Sequence, residues 1–222
     1  GLLNLGLEVA FYSLQGTDSG KFSIDSQGRM TIGEVPNYEA RSSYSFTAVV
    51  SDGHGGTASQ AITVTVNDLN EAPTAINFSA TSLAENNTAG ATVATLTATD
   101  PDGAESGKSS PFTYALVAGE VDTDNNAFVI SGNQLRIKAS ADYETQSSYS
   151  IRVKVTDAAG QSNETVKTVA VTNVNENPER DSTVELQALP SANEDQTFSI
   201  TTAQLLQGYK DPDAGTQLLV SN

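Results

Sequence analysis

The chain has 222 residues, with 11 Lys and Arg against 27 Asp and Glu, a formal net charge of -16. That balance argues against nucleic acid or an anionic membrane surface as a partner, since both need a basic face. There is no Cys, no Trp and one His, which excludes a disulfide frame and a thiolate metal site and leaves little for zinc or a His-based relay. Hard oxygen ligands remain, and these suit Ca²⁺ or Mg²⁺.

In chain order, Phe11, Tyr12 and Leu14 open a strand. Phe22-Ser23-Ile24 and Met30-Thr31-Ile32 flank the turn Asp25-Ser26-Gln27-Gly28 as a hairpin. Tyr44, Phe46, Ala48 and Val50 alternate with more polar positions, and Ile62, Val64 and Val66 repeat the pattern. Period-two alternation without helical period predicts half-buried antiparallel strands. The order then recurs: Leu96 and Ala98, Phe112-Tyr114-Leu116, Phe128-Ile130, Leu135-Ile137, Tyr149-Ile151-Val153-Val155 and Val169-Val171. Residues 117–126 lengthen one loop relative to the first pass. Lys167 stands where an inward apolar residue is expected, which suggests a strand end or a local shift of register. Near the C-terminus, Thr201-Thr202-Ala203-Gln204-Leu205-Leu206 carries a Thr N-cap and two leucines for a short helical turn.

A repeat of domain size underlies this order. Asp68-Leu69-Asn70-Glu71-Ala72-Pro73 is nearly copied by Asn173-Val174-Asn175-Glu176-Asn177-Pro178, 105 positions later. The same offset of 105 carries Tyr38-Glu39 onto Tyr143-Glu144, residues 42–45 onto 147–150, and Asp52 onto Asp157. Each acidic run ends at a proline after an alternating strand, as expected of a joint between domains. The expected division is a first repeat over 1–71, cut off at its N-terminus, a complete repeat over 72–176, and the start of a divergent third over 177–222. The chain is read as a fragment of a longer protein. About seven short strands per repeat make tandem immunoglobulin-like Greek-key sandwiches, joined end to end, the expected all-β fold.

Five acidic motifs recur in one order. They are an early Glu (Glu85; Glu194), Asp-Pro-Asp (100–102; 211–213), Asn/Asp-Tyr-Glu (37–39; 142–144), Asp-x-x-Gly (Asp52; Asp157) and the joint itself. Any one of these is ordinarily a turn or a solvated acid. Their joint recurrence is far more specific, and the order resembles the cadherin repeat, in whose family Ca²⁺ binds between successive repeats. Asn-Glu-Ala-Pro in the joint, and Glu-Asp…Leu-Leu…Asp-Pro-Asp after it, look most like the cadherin-like modules of large bacterial surface adhesins.

The resemblance implies a ligand set for each joint. For the first it implies Glu39, Asp68, Asn70, Glu71 and the carbonyls of Leu69 and Ala72, with Asp100, Asp102 and Asp157 opposite. For the second it implies Glu85, Asp142, Glu144, Asn175, Glu176 and the carbonyls of Val174 and Asn177, with Asp211 and Asp213 opposite. Asp52 matches a ligand for a joint upstream. Asn37 and Asn173 replace acids of the family pattern, and the joint is one residue shorter than in animal cadherins. Each amide swap removes a charge and keeps an oxygen, so weaker or fewer ions are expected. Without a cation, clustered carboxylates repel by about 1 to 4 kcal/mol per close pair.

The function expected is a Ca²⁺-rigidified extender in a secreted or surface-anchored adhesin, extracellular, with neighbouring repeats, calcium and a cell-surface protein or glycan as partners and no membrane insertion by this segment. The alternative is a polysaccharide-binding module, which the lack of Trp disfavours, Tyr114, Tyr143 and Tyr149 being placed in strands or ligand motifs. An enzyme is not expected: His54 lies in a Gly-rich loop without a nucleophile. Asp122 to Asn126 lacks the Gly and closing Glu of an EF-hand loop and reads as a polar turn. Asn77, Asn86 and Asn163 head formal glycosylation sequons.

Overall fold

The computed structural model describes residues 10–103, 108, 110–213 and 215–220. The chain divides into two compact units, one of Gly1–Glu71 with Pro101–Lys108 and one of Ala72–Asp100 with Ser109–Asn222.

In the first unit, β1 (Phe11–Gln15), β4 (Ser43–Ser51) and β5 (Thr57–Thr65) form one antiparallel sheet in the order β1-β4-β5. The hairpin β2 (Phe22–Ile24) and β3 (Met30–Ile32) stands beside it. Asp25 shapes the hairpin turn, its carboxylate accepting from the backbone N–H groups of Gln27 and Arg29, an Asx arrangement that suits a short turn. Tyr44 and Phe46 are buried, and the Phe22 ring packs against them at centroid distances of 5.5 and 4.5 Å. Inward aromatics at alternate positions of β4 are thus what joins the hairpin to the sheet.

The second unit is a complete sandwich. One sheet runs β10-β11-β8-β6 and the other β7-β13-β12-β9, where β6 is Ala75–Phe78, β7 Ser82–Ala84, β8 Thr92–Thr99, β9 Thr113–Leu116, β10 Phe128–Ser131, β11 Gln134–Ile137, β12 Ser148–Thr156 and β13 Ser162–Thr172. Leu96, Phe128, Leu135, Ile137, Ile151, Val153 and Val169 are almost wholly buried between the sheets. These are the alternating positions that the sequence marks as inward.

The offset of 105 holds at the level of hydrogen-bond register. β4 pairs with β5 from Ser43↔Thr65 to Ser51↔Thr57, and β12 with β13 from Ser148↔Ala170 to Thr156↔Ser162. Adding 105 to either number of a pair in the first unit gives the pair in the second. Because a slip of one residue turns every side chain to the other face, shared register means shared core positions.

Three features depart from the sequence reading. β7 pairs with β13 in parallel, whereas β6 pairs antiparallel with β8, so one short stretch of chain serves both sheets. Two strands of three or four residues are too short to show a period, which is why the sequence pattern passed over them. Lys167 is at neither a strand end nor a register shift, for β13 is continuously paired around it. It lies on the inward row, half-buried, with its ammonium 5.5 Å from the centroid of the Phe78 ring; the face of the ring attracts the cation and so accommodates a charge in that row.

The third departure is a buried carboxylate with a copy. Asp18 is buried, accepts from the Ser45 N–H at 2.7 Å and pairs with Arg41 at 2.6 Å. Its counterpart Asp124, within the expected polar turn, directly precedes a short 3₁₀ helix at Asn125–Ala127 and turns its carboxylate elsewhere, accepting from the Ser150 N–H at 2.6 Å and from Gln146 Nε2 at 3.0 Å. Burial raises the Asp124 carboxyl, but the bonds from Ser150, Gln146 and Thr123 outweigh it and hold the group below its ordinary value. A depressed value stabilises the fold at neutral pH and is lost as pH falls through it. Asp124→Ala should therefore cost about 1 to 3 kcal/mol in a denaturant melt at pH 7, because it strands the Ser150 N–H, and the difference from the parent should shrink at acid pH.

Residues 177–220 carry β14 (Glu179–Arg180) paired with β15 (Tyr209–Lys210), and α1 (Thr202–Leu205). Thr201 caps α1 as expected, in a capping box with Gln204. Among the described residues of this stretch no large apolar side chain is buried, and Leu186, Leu189, Phe198 and Tyr209 are exposed.

Candidate metal centres at the two joints

Within the first unit, carboxylate oxygens of Glu39, Asp68 and Asp102 lie within 4.8 Å of one another. Asp102 is buried and its Oδ2 accepts from the Glu71 N–H at 3.0 Å. Asn70 spends its amide nitrogen on the Glu71 carbonyl at 2.8 Å, which fixes its oxygen as the acceptor end. Glu71 Oε2 is a buried atom with no hydrogen-bond partner. Desolvation first, then Glu39, Asp102 and Asp68, push the Glu71 carboxyl above its ordinary value.

The second unit holds a fuller version of the same pattern. Oxygens of Glu85, Asp142 and Glu144 form one group within 4.8 Å, and those of Glu144, Glu176 and Asp213 form another. Glu144 belongs to both. Asp213 is buried and accepts from the Glu176 N–H at 2.9 Å, while Asn175 donates to the Glu176 carbonyl at 2.9 Å. These repeat the bonds made by Asp102, Glu71 and Asn70. Asp211 Oδ1 accepts from the Asp213 N–H at 3.0 Å and so shapes the Asp-Pro-Asp turn. Glu176 Oε2 is buried without a hydrogen-bond partner. Desolvation raises the Glu144 carboxyl, its own backbone N–H opposes that, and the charges of Glu85 and Glu176 add to the rise.

Glu85 has a second task. It is 3% exposed, and its two oxygens accept from the backbone N–H groups of Tyr143 at 2.7 Å and Val174 at 2.6 Å. One side chain thus ties the 142–144 turn to the joint. Asp142 likewise takes both the N–H and the hydroxyl of Thr145, and Asn37 accepts from the Ala40 N–H in the equivalent turn. The Asp-to-Asn exchange at position 37 therefore keeps the turn and loses only the charge. Asn173, in the place of Asp68, donates its amide to Glu144 Oε1 at 3.0 Å.

Asp52 and Asp157 hold the hairpin turns between their long strands. Asp52 Oδ1 accepts from the Gly56 N–H at 2.9 Å and Asp157 Oδ1 from the Gln161 N–H at 2.8 Å. A Cβ on Gly56 would meet Asp52 Oδ2 at 2.4 Å, so the Asp52 carboxylate would have to shift to admit a side chain there; Gln161 occupies the equivalent place in the Asp157 turn. Asp157 is buried and Asp52 exposed. Asp100 follows β8 and, with Asp157, belongs to the second unit. The Leu69 and Val174 side chains are exposed, so neither position serves the core. Ala72 is half-buried and Asn177 exposed.

Sequence reasoning overlooked three residues here. Asn86, in αL conformation with φ of 56°, donates to Glu176 Oε1 at 2.6 Å; its neighbour Asn87 accepts from the Ala141 N–H at 2.9 Å. Both lie in what the sequence offered only as a sequon. Lys108, which has no copy, pairs with Asp68. His54 is tied to its own loop, its ring nitrogen 2.9 Å from the Asp52 carbonyl. Tyr114 and Tyr149 pack on the core, Tyr149 edge-on to Phe128 at 5.3 Å, whereas Tyr143 is exposed.

The donor sets are hard oxygens packed closer than their charge favours, which fits a Ca²⁺ ion. Comparisons with known proteins place the repeats in a family. Residues 79–174 match the cadherin domain family and residues 5–65 the bacterial Ig domain family. Human protocadherin Fat 1 is 28% identical over 177 residues, covering 77% of this chain, and human protocadherin-16 is 30% identical over 175 residues, covering 76%. The chain spans only 4 to 5% of the length of these relatives. Among solved structures, the EC1-2 segment of human protocadherin-24 superposes with a TM-score of 0.59 at 19% identity, over 75% of this chain and 83% of that one. The protocadherin gamma B7 extracellular cadherin domains 1-4 give 0.56 at 21% identity, over 92% of this chain and 51% of that one. At such identities the likeness establishes the fold. Cadherin repeats are adhesion modules and not enzymes, and through residues 79–174 this chain belongs to the cadherin repeat family.

Proposed function

We propose that the chain is a calcium-binding extender segment of an extracellular, surface-anchored or secreted adhesin, whose joints at 68–73 and 173–178 stiffen when Ca²⁺ binds. The observation that carries this reading is the duplicated arrangement in which a buried Asp holds the backbone of the joint's Glu while that Glu keeps a buried oxygen without a partner, at Asp102 with Glu71 and at Asp213 with Glu176. Glu39, Asp68, Asn70, Glu71 and Asp102 would supply ligands at the first joint, and Glu85, Asp142, Glu144, Asn175, Glu176 and Asp213 at the second. Asp100, Asp157 and Asp211, with the carbonyls of Leu69, Ala72, Val174 and Asn177, complete the two sets. Asp52 would serve a further joint. The repeats themselves are proposed to run over 1–71, 72–176 and 177–222. The bacterial Ig match over residues 5–65 supports a bacterial source. Among the described residues no helix is long and apolar enough to cross a membrane.

Ions that bind only the folded state stabilise it by mass action, by about 2.7 kcal/mol at a free concentration a hundred times the dissociation constant. Titration calorimetry should show heat from more than one Ca²⁺, chelator should lower the thermal midpoint, and amide exchange at 68–73 and 173–178 should slow with calcium. Identical melts with and without chelator, together with no heat, would sink the proposal.

A further inference from the structure

Lys108 puts an ammonium among the carboxylates of the first joint. Its Nζ pairs with Asp68 Oδ1, lies 4.0 Å from Asp102 Oδ1 and stands 6.0 Å from the centroid of the Tyr38 ring. The contact is not a loose surface pair, for the Lys108 side chain is 30% exposed, Asp68 26% and Asp102 1%. A lysine ammonium held in such an ion pair is charged at neutral pH.

The second joint is built differently. Asn173 replaces Asp68 and neutralises nothing; it donates an amide hydrogen bond to Glu144. Among the described residues no ion pair joins a Lys or Arg to Glu85, Asp142, Glu144, Glu176 or Asp213, and the nearby Lys210 pairs with Glu179 at 3.3 Å. Among the described residues, one joint carries its own monovalent cation and the other does not.

We infer that Lys108 is a tethered counter-cation that competes with Ca²⁺ for Asp68 and Asp102, so that the first joint takes up calcium more weakly than the second and tolerates its removal better. This rests on the calcium reading above. A divalent ion arriving at Asp68 would meet a like charge within a few ångströms, so the ammonium has to leave Asp68 for water before the ion is fully held. The same ammonium offsets the repulsion among Glu39, Asp68, Glu71 and Asp102 when calcium is absent. A lysine suits this exchange, being a strongly hydrated point charge on a flexible stem that solvent readily takes back.

The test uses the whole chain as parent, Lys108→Gln and Lys108→Arg. Calcium calorimetry on the parent should resolve a tighter and a weaker class of site. Lys108→Gln should tighten the weaker class by about tenfold, the size of one partly screened charge contact, leave the tighter class unchanged, and lower the melting midpoint in chelator. Lys108→Arg keeps the charge and should keep the weaker class weak. Terbium assigns the classes, because Tyr38 sits beside Lys108 and should sensitise emission from an ion at the first joint; Tyr38→Phe should remove the component that titrates with the weaker class. If Lys108→Gln and the parent give superimposable calcium isotherms, Lys108 is no competitor and the inference falls while the calcium reading stands. If neither calcium heat nor terbium emission appears in any variant, the calcium reading fails and takes this inference with it.

Discussion

Replacing Glu85 with Ala should destabilise the second unit by about 3 to 5 kcal/mol even in chelator, because two hydrogen bonds to a charged acceptor are lost and two backbone donors are left without it. The early Glu looks like a metal ligand in sequence. The structure shows a buried carboxylate whose oxygens are already held by the Tyr143 and Val174 N–H groups, so its first contribution is to position the 142–144 turn against the joint. Glu85→Gln separates the two roles. The amide can still accept at one end, but it turns an NH₂ toward the other N–H, so its cost should fall between that of Ala and zero. Urea melts with unchanged slope measure the loss directly. A change below about 1 kcal/mol for Glu85→Ala in chelator would show that the two bonds contribute little and that Glu85 acts through the ion alone.

Glu144→Gln should do the reverse, weakening calcium binding at the second joint by about tenfold or more while leaving the chelated protein as stable as before or slightly more so. Glu144 shares oxygens with both carboxylate groups of this joint, so its charge is the one an ion there needs most. Its side chain is exposed and accepts a hydrogen bond from Asn173, which a Gln oxygen can take over. The raised Glu144 carboxyl has the same meaning: without metal its charge costs more in the folded than in the unfolded chain, so stability falls as pH rises from the ordinary glutamate value to the raised one. Glu120→Gln is the control. Glu120 is exposed in the 117–126 loop and works through its carbonyl, which accepts from Arg152 Nη2 at 2.7 Å, so its isotherm should match the parent's. Coincident isotherms for Glu144→Gln, Glu120→Gln and the parent would remove Glu144 from the ligand set.

Much of this architecture is local enough to be written in the chain. Alternation at Tyr44-Phe46 and at Tyr149-Ile151-Val153-Val155 sets which side chains enter the sandwich, since a strand has only two faces and water penalises apolar side chains on one of them. The offset of 105 carries the register of β4 with β5 onto that of β12 with β13 because identical spacing between hairpin partners leaves one pairing that buries both apolar rows. The acidic motifs could likewise be read, being runs of two to six residues whose recurrence is visible without coordinates. What the chain could not disclose are contacts between residues far apart in it, whose partners no periodicity links. Glu85 as a clasp depends on Val174, 89 positions away, and Asn86 on Glu176, 90 away. The sheet-switching pair β6 and β7 is too short for a pattern and exists only because β8 and β13 offer open edges of opposite sheets. Lys167 contradicts the alternation until Phe78 is beneath it. Lys108 has no sequence signature at all, since a single ammonium on a loop means nothing until folding brings Asp68 and Asp102 to it; electrostatic partners are chosen by distance in space, and only the tertiary structure sets that distance.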